Sequence, residues 1–183
     1  KPLHKKIMGY AKEAKNGVLN RREFLAYATA LGATTATYLG DTAVGKGSVA
    51  AGGEASLGAT AFGYGALTAN TTGDSNTAIG ALSMISNTSG AYNLGLGAAS
   101  LNKNTTGSYN MGLGVSALQE NTSGVRNTGV GYQALLNTTT GEDNNAFGYA
   151  SLSANTTGNY NVAVGYDALG DASGSNNTAV GND

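Results

Sequence analysis

Asn76-Thr77-Ala78-Ile79-Gly80-Ala81-Leu82-Ser83-Met84-Ile85-Ser86-Asn87-Thr88-Ser89-Gly90-Ala91-Tyr92 is one unit of a pattern that fills most of this chain. The glycine at its fifth position recurs as Gly63, Gly80, Gly97, Gly114, Gly131, Gly148, Gly165 and Gly181, at intervals of 17 residues except the last, which is 16. A fixed period of this length marks a solenoid or roll, in which each repeat is one supersecondary unit stacked on its neighbour. It points away from enzymes, because a catalytic site needs unlike residues to converge and a repeat supplies the same residues at every level.

With Asn76 as position 1, later units open at Asn93, Asn110, Asn127, Asn144, Asn161 and Asn177. Position 4 is apolar in every copy (Phe62, Ile79, Leu96, Leu113, Val130, Phe147, Val164, Val180). Position 9 is apolar in every full copy (Leu67, Met84, Leu101, Leu118, Leu135, Leu152, Leu169), and positions 3 and 8 are always Ala, Gly or Ser. Turn chemistry at one end, Asn-Thr-Thr-Gly or Asn-Thr-Ser-Gly, suits two short strands and two turns per unit, with Gly and Asn supplying positive φ. Thr, Val and Ile favour strand, and a glycine in every short segment disfavours a helical solenoid. The expectation is an all-β fold: a parallel β-roll of about eight coils over residues 41–183, with like residues stacked in ladders about 4.8 Å apart.

Composition removes several alternatives. Proline occurs once and glycine does not fall at every third position, which excludes collagen. Cysteine is absent, so neither disulfides nor thiolate metal sites exist. The one histidine, His4, sits in a lysine-rich segment and reads as a solvated surface residue. Residues 1–24 hold seven of the ten Lys and Arg and two of the eleven Asp and Glu, leaving three basic and nine acidic residues for 25–183. A repeat region so poor in Lys and Arg cannot neutralise a row of phosphates, so no nucleic-acid partner is expected for it.

The basic segment is a separate matter. Lys1, Lys5, Lys6, Lys12, Lys15, Arg21 and Arg22 precede an uncharged, mildly apolar run from Phe24 to Gly40, the pattern of a secretory leader. Asn20-Arg21-Arg22-Glu23-Phe24-Leu25 resembles the twin-arginine export motif, with Arg21, Arg22, Phe24 and Leu25 in register. That resemblance implies export of an already folded protein across a bacterial inner membrane. Ala28-Thr29-Ala30 is a candidate cleavage site. The competing expectation is a retained amphipathic helix, with Ile7, Ala11, Ala14 and Val18 at helical spacing opposite Lys5, Lys12 and Lys15. Such a helix would anchor the fibre to a docking partner or an anionic surface. The chain therefore reads as a leader or anchoring helix over 1–40 and a repeat domain over 41–183.

Two large apolar side chains per coil make a thin core for one narrow chain. Three chains about a common axis would place one apolar rank inside each coil and the other at the shared centre, so a homotrimer is expected. Thr42-Ala43-Val44-Gly45-Lys46-Gly47-Ser48-Val49-Ala50-Ala51-Gly52-Gly53-Glu54-Ala55-Ser56 resembles the head repeat of YadA-like trimeric adhesins. Units such as Asn161-Val162-Ala163-Val164-Gly165-Tyr166-Asp167-Ala168-Leu169 look like longer variants, similar to units in phage tail-fibre-like proteins. The resemblance covers about residues 41–183. It implies a left-handed, trimeric, surface-exposed β-roll, extracellular, on a cell surface or in a virion fibre. Residues 41–183 include no membrane β-barrel or chaperone domain of that family; if the chain is the whole protein, the leader is expected to serve export.

No chemical constellation survives inspection. Gly95-Leu96-Gly97 and Gly112-Leu113-Gly114 lack the third glycine of a dinucleotide loop, because Ser100 and Ala117 stand there, and Gly47 replaces the Ser or Thr of a phosphate loop. Glu142-Asp143 is the one paired-carboxylate candidate, and neighbours on a strand or turn are expected to point apart. Neither catalysis nor a cofactor nor a metal is expected. Two tyrosine ladders remain as a candidate binding surface: Tyr64, Tyr132, Tyr149 and Tyr166 at position 6, and Tyr92, Tyr109 and Tyr160 at position 17. Tyrosine gives amphipathic contact area suited to a receptor, glycans included, although stacked tyrosines also simply cover strand edges. Sequons at Asn70, Asn87, Asn104, Asn121 and Asn155 read as turn chemistry. The leading expectation is a non-catalytic trimeric fibre, a bacterial adhesin or filament or a phage tail-fibre shaft. The alternative is a single-chain ice-binding solenoid presenting Thr71, Thr88, Thr105, Thr122, Thr139 and Thr156.

Overall fold

The structure is a computed structural model that describes residues 58–182 throughout, with two short strands before them. The leader motif at Arg21, Arg22, Phe24 and Leu25, and the expected amphipathic helix, lie outside the described residues. The chain divides into two units, 1–36 and 37–183, and the second carries the repeats. The strands are β1 (Thr35–Tyr38), β2 (Asp41–Val44), β3 (Thr60–Phe62), β4 (Thr77–Ile79), β5 (Leu94–Leu96), β6 (Met111–Leu113), β7 (Thr128–Val130), β8 (Asn145–Phe147), β9 (Val162–Val164) and β10 (Thr178–Val180).

From β2 to β10 each strand pairs in parallel with the next, and from β3 onward the register equals the sequence repeat, so Ala61 faces Ala78 and Ile79 faces Leu96. Eight strands, β3 to β10, thus make a β-solenoid of about seven turns with no helix among the described residues. Each coil contributes one strand of three residues, not the two expected from sequence. The remainder is turn, yet it is stitched to the next coil as regularly as the strand is. Met84 N–H donates to Ser100 O at 3.0 Å, Ser86 to Asn102 O at 3.1 Å, and Thr88 to Thr105 O at 2.9 Å.

Backbone handedness explains why the second strand does not form. Position 5 is glycine with φ between +133° and +142° in all eight copies, a region L side chains scarcely enter. Positions 7, 9 and 17 also take positive φ, between 47° and 63°, and there twenty residues other than glycine adopt it. Among them are Leu67, Leu101, Leu118, Leu135, Leu152 and Leu169. Left-handed residues at positions 7 and 9, two apart in every full coil, bend the chain back on itself, which an extended strand cannot do. Each such leucine costs about 1–2 kcal/mol of local strain. Burial of the same side chain, contributing roughly 1.5–3 kcal/mol, offsets it: five of these six leucines, and Met84 at the same position, are fully buried.

The interior is narrow and layered. Position 9 supplies the large apolar rank, position 3 the small one (Ala61, Ala78, Ala146, Ala163 fully buried), and position 8 a second small rank. The small ranks fit each other coil by coil. Ser83 Oγ donates to Gly95 O at 3.2 Å and Ser100 Oγ to Gly112 O at 2.8 Å. A Cβ at Gly95 would come within 2.6 Å of Ser83 Oγ. Where position 3 of the following coil is Ala163, Ser151 instead turns its Oγ to Gly148 O in its own coil, at 3.1 Å.

Candidate binding surface

Asparagine sets the frame that presents the surface. At position 1, each side-chain Oδ1 accepts from the following coil: Asn93 donates its backbone N–H at 3.0 Å and its Nδ2 at 3.1 Å to Asn76 Oδ1. Asn93 Nδ2 also donates to Gly107 O at 2.8 Å. The column continues through Asn110, Asn127, Asn144 and Asn161 to Asn177. At position 12 a second column runs Asn121 to Asn104 to Asn87 to Asn70, each Nδ2 donating to the preceding Oδ1 at 2.7–2.8 Å. Both columns are buried except at Asn177, which is half-buried, so their amides must be satisfied internally or cost stability.

The sequon asparagines Asn70, Asn87, Asn104, Asn121 and Asn155 are thus interior. Their Nδ2 groups donate to the glycine carbonyl three residues on. They are structural amides, as the turn reading expects. The threonine rank is also engaged: Thr71, Thr88, Thr105, Thr122 and Thr139 each donate Oγ1–H to the carbonyl of the matching threonine in the next coil, at 2.8–3.1 Å.

What faces outward is apolar and aromatic. In β3, β4, β5, β8 and β9 the middle residue is buried and the last exposed. Position 4 therefore points away from the coil's own core, with Phe62 at 56% and Leu96 at 43% exposure. Positions 1 to 6 of every unit from β3 to β10 carry no charged side chain. The charges of that region (Asp74, Lys103, Glu120, Arg126, Glu142, Asp143, Asp167, Asp171 and Asp183) all fall between positions 7 and 17. The result is an uncharged stripe running the length of the solenoid.

The tyrosines flank this stripe. Tyr132 and Tyr149 stack at 5.3 Å between ring centroids and 13° between planes, and Tyr149 and Tyr166 at 4.9 Å and 5°. Tyr92 and Tyr109 stack at 5.1 Å and 7°. Tyr64 and Tyr160 share the repeat positions but stand apart. Ala81, Ala98 and Val115 separate Tyr64 from its column, and Arg126 and Asp143 separate Tyr160 from Tyr109. Inside a column the ring faces cover one another, so a ligand meets hydroxyls, ring edges and the outermost faces.

One charged cluster interrupts the second column, and it corrects an expectation. Glu142 and Asp143 do not point apart; both converge on Arg126 one coil earlier. Arg126 Nε and Nη2 donate to Asp143 at 2.7 and 2.9 Å, and Nη2 also reaches Glu142 Oε2 at 2.9 Å. Asp143 stands one repeat after Arg126 with the same left-handed backbone, so the two side chains are neighbours in the position-17 column. Hydrogen bonding to Arg126 lowers the Asp143 pKa from its ordinary value, and the same bond raises that of Arg126. The paired carboxylates are a coil-to-coil staple. Lys103 Nζ and Glu120, at 2.6 Å, form a second.

At the last coil, Leu169, Ala179 and Val180 line an open cleft of about 230 Å³ where the core meets solvent. Among the described residues no group of three His, Cys, Asp or Glu side chains is placed to hold a metal ion, and no helix is long and apolar enough to cross a membrane. Compared with family models, with curated proteins and with solved structures, the chain finds no match.

Proposed function

We propose that this chain is a segment of a non-catalytic fibre, a homotrimer whose position-4 ranks meet at a shared axis. Its tyrosine columns then serve attachment to a surface receptor, glycans among the candidate ligands. The observation that carries the reading is the uncharged apolar stripe. Phe62, Ile79, Leu96, Phe147, Val164 and Val180 lie exposed along it, with no charge at neighbouring positions to keep it in water. The stripe follows the strands from β3 to β10, a contiguous exposed apolar patch of the kind that marks an interaction site, unlike the scattered single apolar residues normal on a monomer surface. A second copy is the partner whose side-chain spacing matches the stripe at every coil.

A left-handed winding and a bacterial surface or virion setting follow from the resemblance to trimeric adhesin and tail-fibre repeats. The twin-arginine-like leader supports the bacterial setting, and docking of residues 1–40 on another structural protein would support the virion. The ice-binding alternative finds less support, since the threonine hydroxyls of its proposed array donate to backbone carbonyls of the next coil.

Light scattering on a size-exclusion column tests the reading directly. The full chain is expected at three times the chain mass. Leu96→Asp and Val130→Asp, on the outward rank, are expected to give monomers with unchanged circular dichroism. A wild-type monomer at micromolar concentration would overturn the shared-axis fibre.

A further inference from the structure

We propose that the two tyrosine columns are sites of oxidative coupling, in which a peroxidase-type one-electron oxidant joins stacked rings into dityrosines and staples successive coils. Three pairs are poised for this: Tyr92 with Tyr109, Tyr132 with Tyr149, and Tyr149 with Tyr166. Their rings are parallel within 13° and 4.9–5.3 Å apart between centroids. Swinging one ring out of the stack about its side-chain torsions brings its ortho carbon edge-on to the ortho carbon of the next, without any movement of the backbone. The parallel backbone register and the buried asparagine columns hold the partners in place, so no encounter has to be found by diffusion. All five rings carry exposure of the side chain, Tyr132 and Tyr149 at 45% and Tyr109 at 60%, which admits a small oxidant.

The chemistry balances simply. A haem peroxidase with hydrogen peroxide removes one electron and one proton from each phenol. The two phenoxyl radicals form one carbon–carbon bond between ortho positions, and the ortho hydrogens return as phenolic protons on tautomerisation. The pair loses two hydrogens in all, and hydrogen peroxide is reduced to two waters. In a chain without cysteine, this is a covalent route to locking coils that a disulfide cannot supply. Each link would close a loop of one repeat, joining residues 17 apart.

Tyr64 and Tyr160 make the experiment self-controlled, since they are as exposed as the stacked residues, at 58% and 60%, but have no aromatic neighbour in the repeat. The full-length protein would be treated with a haem peroxidase and hydrogen peroxide at several protein concentrations. Dityrosine fluorescence would be followed and the links mapped by mass spectrometry. Links 92–109, 132–149 and 149–166 are expected to exceed those containing Tyr64 or Tyr160 by at least roughly tenfold, the advantage of reactants already held together. Their yield should not depend on protein concentration. Tyr149→Phe, which keeps the stack, should lose both links of the longer column and retain 92–109. Equal coupling at Tyr64 and Tyr160, or links that form only between chains, would overturn the proposal.

Discussion

Thr138 occupies the position at which the preceding coils bury Asn70, Asn87, Asn104 and Asn121, and one atom registers the change. Asn121 Oδ1 is buried without a hydrogen-bond partner, because the residue one coil on offers a hydroxyl that donates elsewhere, to Asn155 O at 3.0 Å. Thr138→Asn would place an amide donor against Asn121 Oδ1 and an acceptor against Asn155 Nδ2. An unsatisfied buried acceptor costs about 1–3 kcal/mol. The substitution is therefore expected to raise stability by about 1 kcal/mol, read as a higher urea midpoint with unchanged slope. Asn104→Ala breaks the same column at its middle and should cost about 2–4 kcal/mol, through unpaired partners and a cavity. The asparagines were legible as repeated turn residues, but not as buried columns. Nor could a leucine at position 9 be read as left-handed: the letters show an apolar rank, and only the closed coil shows that burial compensates the strained backbone.

At the scale of one coil, the glycine period was the dependable signal, because position 5 allows no other residue. A Cβ at Gly114 would collide with the Gly131 carbonyl, at a φ of +138° that L residues avoid. Gly114→Ala should therefore cost about 3 kcal/mol or more, with coils on either side losing hydrogen-exchange protection first. Gly65, at position 7 with φ +69°, shows that glycine also fits there. Ser116→Gly, at that same position, should be neutral to stabilising by about 0.5–1 kcal/mol, since relief of αL strain slightly exceeds the added chain entropy. The large apolar ranks at positions 4 and 9 were legible as one inside the coil and one outside it, but not which was which, and the small residues at positions 3 and 8 close the coil's own core. The second strand was not excluded by composition, since Thr and Leu suit strand and turn alike. The Arg126 staple has its own signature. Asp143 titrates below its unfolded value, so its contribution is present above the unfolded pKa and lost as pH falls through the depressed folded one. Both groups are solvated, so the effect is small and screened by salt. An NMR titration of the Asp143 carboxyl should show the lowered midpoint, moved back toward the ordinary range in Arg126→Gln.

For the molecule as a whole, a fold in which each coil touches only its neighbours has stability that is nearly a sum over coils and junctions. Length is then adjustable in whole units and in no other increment. Removing residues 110–126, one complete repeat, brings Tyr109 directly before Asn127 and restores every ladder: Asn93 meets Asn127, Leu101 meets Leu135, and Gly97 meets Gly131. Removing half a repeat instead sets position 9 against position 1, so leucine would meet the buried amide column and the left-handed positions would fall on strand residues. The full-repeat deletion is expected to fold with the same circular dichroism and a transition lower by a few degrees. The half-repeat deletion should lose cooperative unfolding, and a comparison of the two melting curves decides the matter. The final coil already shows what the period tolerates. Its repeat is 16 residues, and it keeps the strand register, with Ala179 on Ala163, and the position-1 column, with Asn177 donating to Asn161 Oδ1 at 2.9 Å. The shortfall falls after the position-9 leucine, in the stretch where the position-12 asparagine is replaced by Ala172 and the polar column ends. A one-residue deletion placed there in an inner coil should thus be tolerated at the cost of its position-12 amide. The same deletion between positions 1 and 5 should unfold that coil, because strand register, glycine conformation and the first asparagine column all depend on that spacing.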